Sequence, residues 1–271
     1  MFLAHNNDIA PGCFKPLAQH NKKKALVNSN GKISLESNVC PHQLSLLSTK
    51  EGTGNRVCPY HNWSFDLDGN PVTSGRTSHY CKNLNSLARF DTFSMSDLLF
   101  DVNVVCKELN WLDLSNMKLK EQRVDRVNAD SRIIMDVFLD VDHIQSVHSG
   151  VYDLIGLPKI DQVQWHYYPW GSLQLVAKGD DYGAAWLSVY PGTMIEWQPG
   201  ALFVTVATPI NQHETDVHVF KYSDNEEDWK LNESVWELAW SQDKTQAELI
   251  TGFTNNNLEE SKKHFRQWLT K

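Results

Sequence analysis

Apolar and polar positions change rhythm twice along the chain. Before residue 70, short runs alternate in the manner of strands: Lys24–Asn28, Ile33–Ser37, Arg56–Pro59 and Trp63–Leu67. Gly31, Gly54 and Asp68-Gly69 supply the turns between them. Residues 70–95 hold Pro71, Gly75 and several Ser and Thr with little periodicity, which predicts the end of a small antiparallel β-domain near residue 98. Across 131–148 the spacing becomes helical, with Ile133, Ile134, Val137, Phe138, Val141, Ile144 and Val147 three or four apart. Strand patterns return at Val163–Tyr168, Leu173–Ala177, Ala185–Tyr190, Thr193–Trp197, Leu202–Thr208 and Thr215–Phe220. From Glu226 to Lys271 the chain is rich in Glu, Lys, Gln and Leu and reads as helix. These elements predict an α+β protein of two domains, 1–98 and 99–271, the second an antiparallel sheet wrapped on a C-terminal helix.

Composition narrows the function. The chain has 271 residues, enough to bury a sizeable core. Its 25 basic against 33 acidic residues give a net charge of -8, which argues against a nucleic-acid partner. No apolar run suits a membrane span, and the first residues lack the basic and apolar regions of a signal peptide. A cytoplasmic protein is the expectation.

The five cysteines divide into two kinds. Cys13, Cys81 and Cys106 stand alone and read as simple thiols. Cys40 and Cys58 each precede a histidine closely, in Cys40-Pro41-His42 and Cys58-Pro59-Tyr60-His61. Two Cys and two His are also a zinc ligand set, but zinc fingers place like residues together. Here each loop offers one of each, which suits an object with unlike ends: a [2Fe–2S] cluster with thiolates on one iron and imidazoles on the other.

Residues 40–63, running Cys-Pro-His-Gln-Leu and later Cys-Pro-Tyr-His-Asn-Trp, resemble the two cluster loops of a Rieske domain, in particular that of the Rieske non-haem iron oxygenases. The family usually has Arg-Gly where this chain has Gln43-Leu44, and Gly where it has Asn62. None of these positions is a ligand. The resemblance implies a helix-grip catalytic domain for the second part of the chain.

A second constellation lies in the helical stretch, at Asp140-Val141-Asp142-His143-Ile144-Gln145-Ser146-Val147-His148. His143 and His148 are five apart and can face one side if the helix loosens locally. Two imidazoles and a carboxylate make the facial triad of non-haem Fe(II) oxygenases. The family pattern, an acidic residue, two others, His, four residues and His, is filled by Asp140, His143 and His148. The resemblance makes Asp140 the residue that links the two metal centres, accepting hydrogen bonds from His143 and from a cluster histidine; Asp142 is the competing choice. Val137 stands where many members have Asn. The third iron ligand is implied to be an Asp far along the chain, and Asp243 in the segment Trp240–Glu248 takes that place, with Glu237 and Glu248 as rivals and helix capping as its alternative role.

The resemblance thus implies an oxygenase that uses O2 and electrons to hydroxylate or demethylate a small organic substrate. A Rieske electron-transfer protein, or a ligand-binding module with vestigial metal sites, are the alternatives. With no Gly-rich dinucleotide loop in the chain, the electrons must come from an external reductase or ferredoxin. The family also implies a head-to-tail homotrimer in which a cluster meets the iron of the neighbouring chain. Trp165, Trp170, Trp186, Trp197, Tyr167, Tyr168 and Tyr190 fall on predicted strands, so some aromatic faces should line the pocket. His148-Ser149-Gly150-Val151-Tyr152 resembles choline and carnitine monooxygenase-like members, and aromatic walls suit a quaternary ammonium as well as an aromatic substrate.

Overall fold

A computed structural model of the chain describes residues 1–72, 85–156, 163–178 and 181–256. Cys81 and the expected helix beyond residue 256 lie outside the described residues. The chain divides into two compact units, 1–116 and 117–271.

Among its described residues the first unit holds eleven short strands: β1 (Phe2–His5), β2 (Cys13–Pro16), β3 (Lys24–Ser29), β4 (Lys32–Ser37), β5 (Gly52–Thr53), β6 (Arg56–Val57), β7 (Ser64–Phe65), β8 (Pro71–Val72), β9 (Arg89–Phe90), β10 (Phe93–Met95) and β11 (Leu98–Phe100). They form a five-stranded sheet, β5-β2-β3-β4-β9, and two three-stranded sheets, β1-β11-β10 and β6-β7-β8. Leu26 and Leu35 from the hairpin β3-β4 pack with Leu3, Ile9 and Leu17 to make its core. Glu36 of β4 and Arg56 of β6, both without solvent exposure, form an ion pair that ties the five-stranded sheet to the β6-β7 hairpin. Arg89 adds a second cation at 3.0 Å from Glu36, so the buried carboxylate is doubly matched.

This unit runs past residue 98. β11 pairs with β1, and the segment beyond it folds back so that the buried His5 Nε2 lies 2.9 Å from the carbonyl of Leu114. The segment carries no strong periodicity, so the sequence alone offers no reason to attach it to the first unit.

The second unit is built on one antiparallel sheet of seven strands. It comprises β12 (Lys118–Val127), β13 (Val163–Tyr168), β14 (Gly171–Lys178), β15 (Asp181–Val189), β16 (Thr193–Gln198), β17 (Ala201–Asn211) and β18 (Glu214–Ser223). β13 to β18 run as a meander, and β12 returns to the far edge beside β18. Three helices complete it: α1 (Ser131–Leu139), α2 (Ile144–Val147) and the 31-residue α3 (Glu226–Asn256). Ile134, Met135 and Val137 of α1 and Trp236 and Ala247 of α3 pack with Phe203, Val217 and Val219 of the sheet. The architecture is α+β, with the sheet gripping its long helix. No helix among the described residues is long and apolar enough to cross a membrane.

β12 is the strand that periodicity misses. Its sequence, KLKEQRVDRV, buries only Val127, and it pairs with a single neighbour. Charged residues suit such a strand, because they discourage further pairing at a sheet edge.

Candidate metal centres

The two Cys-His loops are built alike. In the first, Cys40 N donates to Ser45 O at 2.8 Å and Leu44 N to Cys40 O at 3.0 Å. In the second, Cys58 N donates to Trp63 O at 2.7 Å and Asn62 N to Cys58 O at 2.9 Å. Each loop must turn back on itself within five residues, and each does so with one left-handed residue, Leu44 at φ 58° and Asn62 at φ 59°. These are the positions where the family usually has Gly. Asn tolerates this conformation, whereas Leu is strained in it and is also exposed.

The loops present unlike groups at different depths. Cys40 and Cys58 are buried among Leu47, Phe65 and Leu87. Burial and the facing Cys58 thiol push the Cys40 thiol above its ordinary value. His42 and His61 lie nearer the surface with their Nδ1 atoms 3.2 Å apart, and His42 stacks on Trp63 at 4.3 Å. Two sulfurs inside and two ring nitrogens outside fit a [2Fe–2S] cluster whose imidazole iron faces outward.

The second constellation is assembled from distant segments. α1 is N-capped by Asp130, whose carboxylate accepts from Arg132 N at 2.9 Å. The expected helix over 131–148 does not run through: it stops at Asp140, where the backbone is extended, and resumes as a 3-10 turn, Val141–His143, followed by α2. The break rotates the histidines onto one side. His143 Nε2 and His148 Nε2 are 3.0 Å apart, and Asp243 Oδ1 lies 3.1 Å from the first and 2.9 Å from the second.

Three atoms at such mutual distances fit a metal well. Ligands at ~2.1 Å and right angles to one another stand ~3 Å apart, the spacing of a facial triad. The protonation state agrees. His148 Nδ1 donates to Gln242 Oε1 at 2.8 Å, which leaves the Nε2 lone pair directed at the triad. Burial would raise the Asp243 carboxyl, but hydrogen bonds to His143 and His148 outweigh it and hold the group below the ordinary carboxylate range. His148, likewise buried, is held above its ordinary value by Asp243. The Asp243 carboxylate therefore favours positive charge at this point.

Asp243 sits inside α3, far from its first turn, so it is not a helix cap. The two rivals point elsewhere. Glu237 pairs with Arg123 and Lys221, and Glu248 accepts from the backbone of Asn128 at 3.0 Å. Glu121, Glu233 and Glu237 also cluster, but around the buried Lys221 ammonium, which pairs with all three, with Arg123 pairing with Glu121 and Glu237 as well.

Asp140 differs from expectation. Its Oδ1 accepts from Asp142 N at 3.1 Å, stabilising the break, and the side chain is exposed. The hydrogen bond expected from His143 is not made, and His143 Nδ1 is buried without a partner among the described residues. The extended backbone at Asp140 turns its carboxylate to solvent.

A pocket adjoins the triad. Phe138 and Val137 of α1, Tyr152, Glu196 of β16, and Trp236, Trp240 and Asp243 of α3 contribute to its wall. Val137 is therefore an apolar wall residue where many family members carry an amide. Tyr152 packs edge-on against His148 at 5.8 Å between ring centres. Of the aromatic residues expected in the pocket from the predicted strands, none of Trp165, Trp170, Trp186, Trp197, Tyr167, Tyr168 and Tyr190 lines it. The aromatic walls come from α1, the turn at Tyr152 and α3. Glu196 escaped the sequence reading because it is a lone acid in a strand.

Comparison with known proteins agrees with this construction. A model of the Rieske [2Fe-2S] domain matches residues 1–87. Putrescine 2-hydroxylase of Ralstonia nicotianae is 26% identical over 238 residues, covering 75% of this chain and 64% of its own. The carnitine monooxygenase oxygenase subunit of Acinetobacter baumannii is 26% identical over 226 residues, covering 70% and 59%. The chain thus spans less than two thirds of the length of these curated relatives. Among solved structures, the quaternary ammonium Rieske monooxygenase CntA superposes with a TM-score of 0.76 at 19% identity, over 94% of this chain and 78% of its own. The cofactors that accompany this pairing of domains are a Rieske [2Fe–2S] cluster and a mononuclear iron. Residues 1–87 are a Rieske [2Fe-2S] domain, and over most of its length the chain is similar to a putrescine 2-hydroxylase and to a carnitine monooxygenase oxygenase subunit.

Proposed function

We propose that this protein is a Rieske oxygenase that uses O2 and electrons from an external reductase or ferredoxin to hydroxylate or demethylate a small organic substrate. The observation that carries the reading is the convergence of His143, His148 and Asp243 beside a walled pocket, in a chain that also has a Rieske domain. A pure electron-transfer protein would need only the cluster loops. The relatives' substrates, putrescine and carnitine, favour a small nitrogenous cation over a polycyclic aromatic.

In this reading Cys40, His42, Cys58 and His61 hold the cluster, and His143, His148 and Asp243 hold the iron. Bound there, the two centres supply stored electrons and the activation of O2. The remaining work belongs to the chain. Gln242 fixes the His148 ring by accepting a hydrogen bond from its Nδ1–H, so His148 offers its other nitrogen without rotating. Phe138, Tyr152 and Trp240 hold the substrate beside the triad and keep bulk water from it.

Asp140 is proposed as the link between centres, now across chains. Its carboxylate is exposed, with one oxygen occupied by Asp142 N, and stands three residues before His143. In a head-to-tail trimer its second oxygen would accept from His42 or His61 of the neighbouring chain. The protein is then a cytoplasmic homotrimer with no nucleic-acid or membrane partner.

Two experiments test these statements. Oxygen consumption by the iron-loaded protein with a reductase system should rise on adding a substrate, with labelled O2 appearing in the product; iron-loaded protein whose oxygen consumption responds to none of a panel of amines, betaines and aromatics contradicts the oxygenase. For the trimer, Cys58→Ser and His148→Ala chains should each be inactive and should regain partial activity when mixed and reassembled. No recovery, with a monomeric mass, overturns the assembly.

A further inference from the structure

The pocket contains one charged group that the proposed metal sites do not use. Glu196 stands on β16, with its partners in the neighbouring strands Trp186 and Phe203, and lines the pocket beside Asp243. It is partly buried and lines the pocket. Trp236 Nε1 donates to its Oε1 at 2.9 Å. Its Oε2 has no hydrogen-bond partner among the described residues.

That arrangement is uneven. The indole is a neutral donor, and among the described residues no cationic side chain pairs with Glu196; Lys244 also lines the pocket but forms no ion pair with it. The other charged groups near it are His148 and Asp243, which are committed to each other. Burial together with the nearby Asp243 charge pushes the Glu196 carboxyl up to about 7, against the Trp236 bond. The fully buried acid Glu36 is treated differently, being matched by Arg56 and Arg89, and even the partly exposed Glu237 pairs with Arg123 and Lys221. A buried carboxylate without a cation is costly unless a ligand supplies one.

Around Glu196 the wall is aromatic. Trp236 stacks between Phe203, at 5.1 Å, and Trp240, at 6.0 Å, and Phe138 and Tyr152 complete the pocket. Aromatic faces and one carboxylate are the two elements that recognise an organic cation. A neutral hydrocarbon entering the same space would cover Glu196 and offer it nothing, so the residue also selects against that class.

We propose that Glu196 is the specificity-determining residue of the pocket, an anchor whose free oxygen pairs with the cationic nitrogen of an alkylammonium substrate. This rests on the oxygenase reading for the word substrate, but the recognition itself is a binding event that needs no turnover.

The test is anaerobic isothermal titration of the iron- and cluster-loaded protein with putrescine, with γ-butyrobetaine and with indole as the neutral aromatic. Glu196→Gln keeps the acceptor for Trp236 and removes only the charge. The variant should weaken at least one of the two cations by roughly tenfold or more, the scale of a charged hydrogen bond, and leave any indole affinity unchanged or improved. Equal cation affinity in wild type and variant overturns the proposal, as does failure of the wild type to bind either cation. Equal loss for cations and indole, at unchanged iron content and cluster absorption, would mean that Glu196 only shapes the pocket, and would also overturn it. An oxygenase that turns over a neutral substrate while ignoring Glu196→Gln refutes the anchor but not the oxygenase; cation binding that depends on Glu196 without any oxygen chemistry does the reverse.

Discussion

In the proposed reading the cluster loops and the iron site solve the same problem, holding metal with side chains, by opposite means. Each cluster loop is a tight local turn in which the backbone of five residues sets the ligand directions, and the two loops repeat each other's hydrogen bonds. The iron site has no such local frame. His143 and His148 are turned together by a helix that breaks at Asp140, while Asp243 arrives from α3, a hundred residues further on. A local site tolerates changes elsewhere in the fold and is sensitive to backbone conformation. A composite site is sensitive to packing of α1 and α3 on the sheet.

The sharpest way to separate the two regions is to remove one ligand from each. Asp243→Ala should abolish iron retention at the second site and bring turnover to background, while the visible absorption of the cluster stays as in wild type. Glu237→Ala and Glu248→Ala should retain the iron, because their carboxylates serve Arg123, Lys221 and Asn128. Cys40→Ser or His61→Ala should have the reciprocal outcome, loss of cluster absorption and its EPR signal with metal uptake at the triad preserved. Loss of both metals in either variant would mean that the two regions are not independent.

A smaller effect is expected one step back from the ligands. Gln242→Leu removes the acceptor for His148 Nδ1 and should weaken iron affinity by about 10–100-fold without touching the cluster. Competition with a chelator measures it, and unchanged affinity would remove Gln242 from the account.

Stability variants sharpen the same contrast. Asp130→Ala should cost the second unit about 1 kcal/mol at neutral pH through loss of the α1 cap. The Arg132 pairing, against some burial, holds the Asp130 carboxyl below its ordinary value. Its contribution is therefore complete above the unfolded value of ~3.9 and disappears as pH falls through the folded value, so the variant and wild type should converge in acid. In the cluster loops, Leu44→Gly should stabilise by about half a kcal/mol, as relief of left-handed strain exceeds the entropy that Gly loses. Asn62→Gly should gain less, since Asn already accepts that conformation. Equal responses at the two positions would contradict the strain argument.

The same contrast explains what the chain reveals before it is folded. Cys40-Pro41-His42 and Cys58-Pro59-Tyr60-His61 are contiguous, so their chemistry can be read directly. The meander β13 to β18 is also legible, because most of its strands are apolar runs buried along nearly their whole length. β12 is not, since charged residues at a sheet edge leave no apolar rhythm. Glu196 and Gln242 are invisible for a different reason: their meaning lies in Trp236 and His148, partners set by tertiary packing. Asp243 lies between these cases, nameable only by resemblance and then separable from Glu237 and Glu248 by where α3 directs each carboxylate.

The claim that this chain joins a cluster to a second, mononuclear iron is tested most directly by an iron inventory of the anaerobically reconstituted protein, combining metal analysis with Mössbauer spectroscopy. The account predicts about three irons per chain, two in the spectrum of a Rieske cluster and one as ferrous iron that disappears in Asp243→Ala. About two irons, all in the cluster and unchanged by Asp243→Ala, would contradict it and leave an electron-transfer protein.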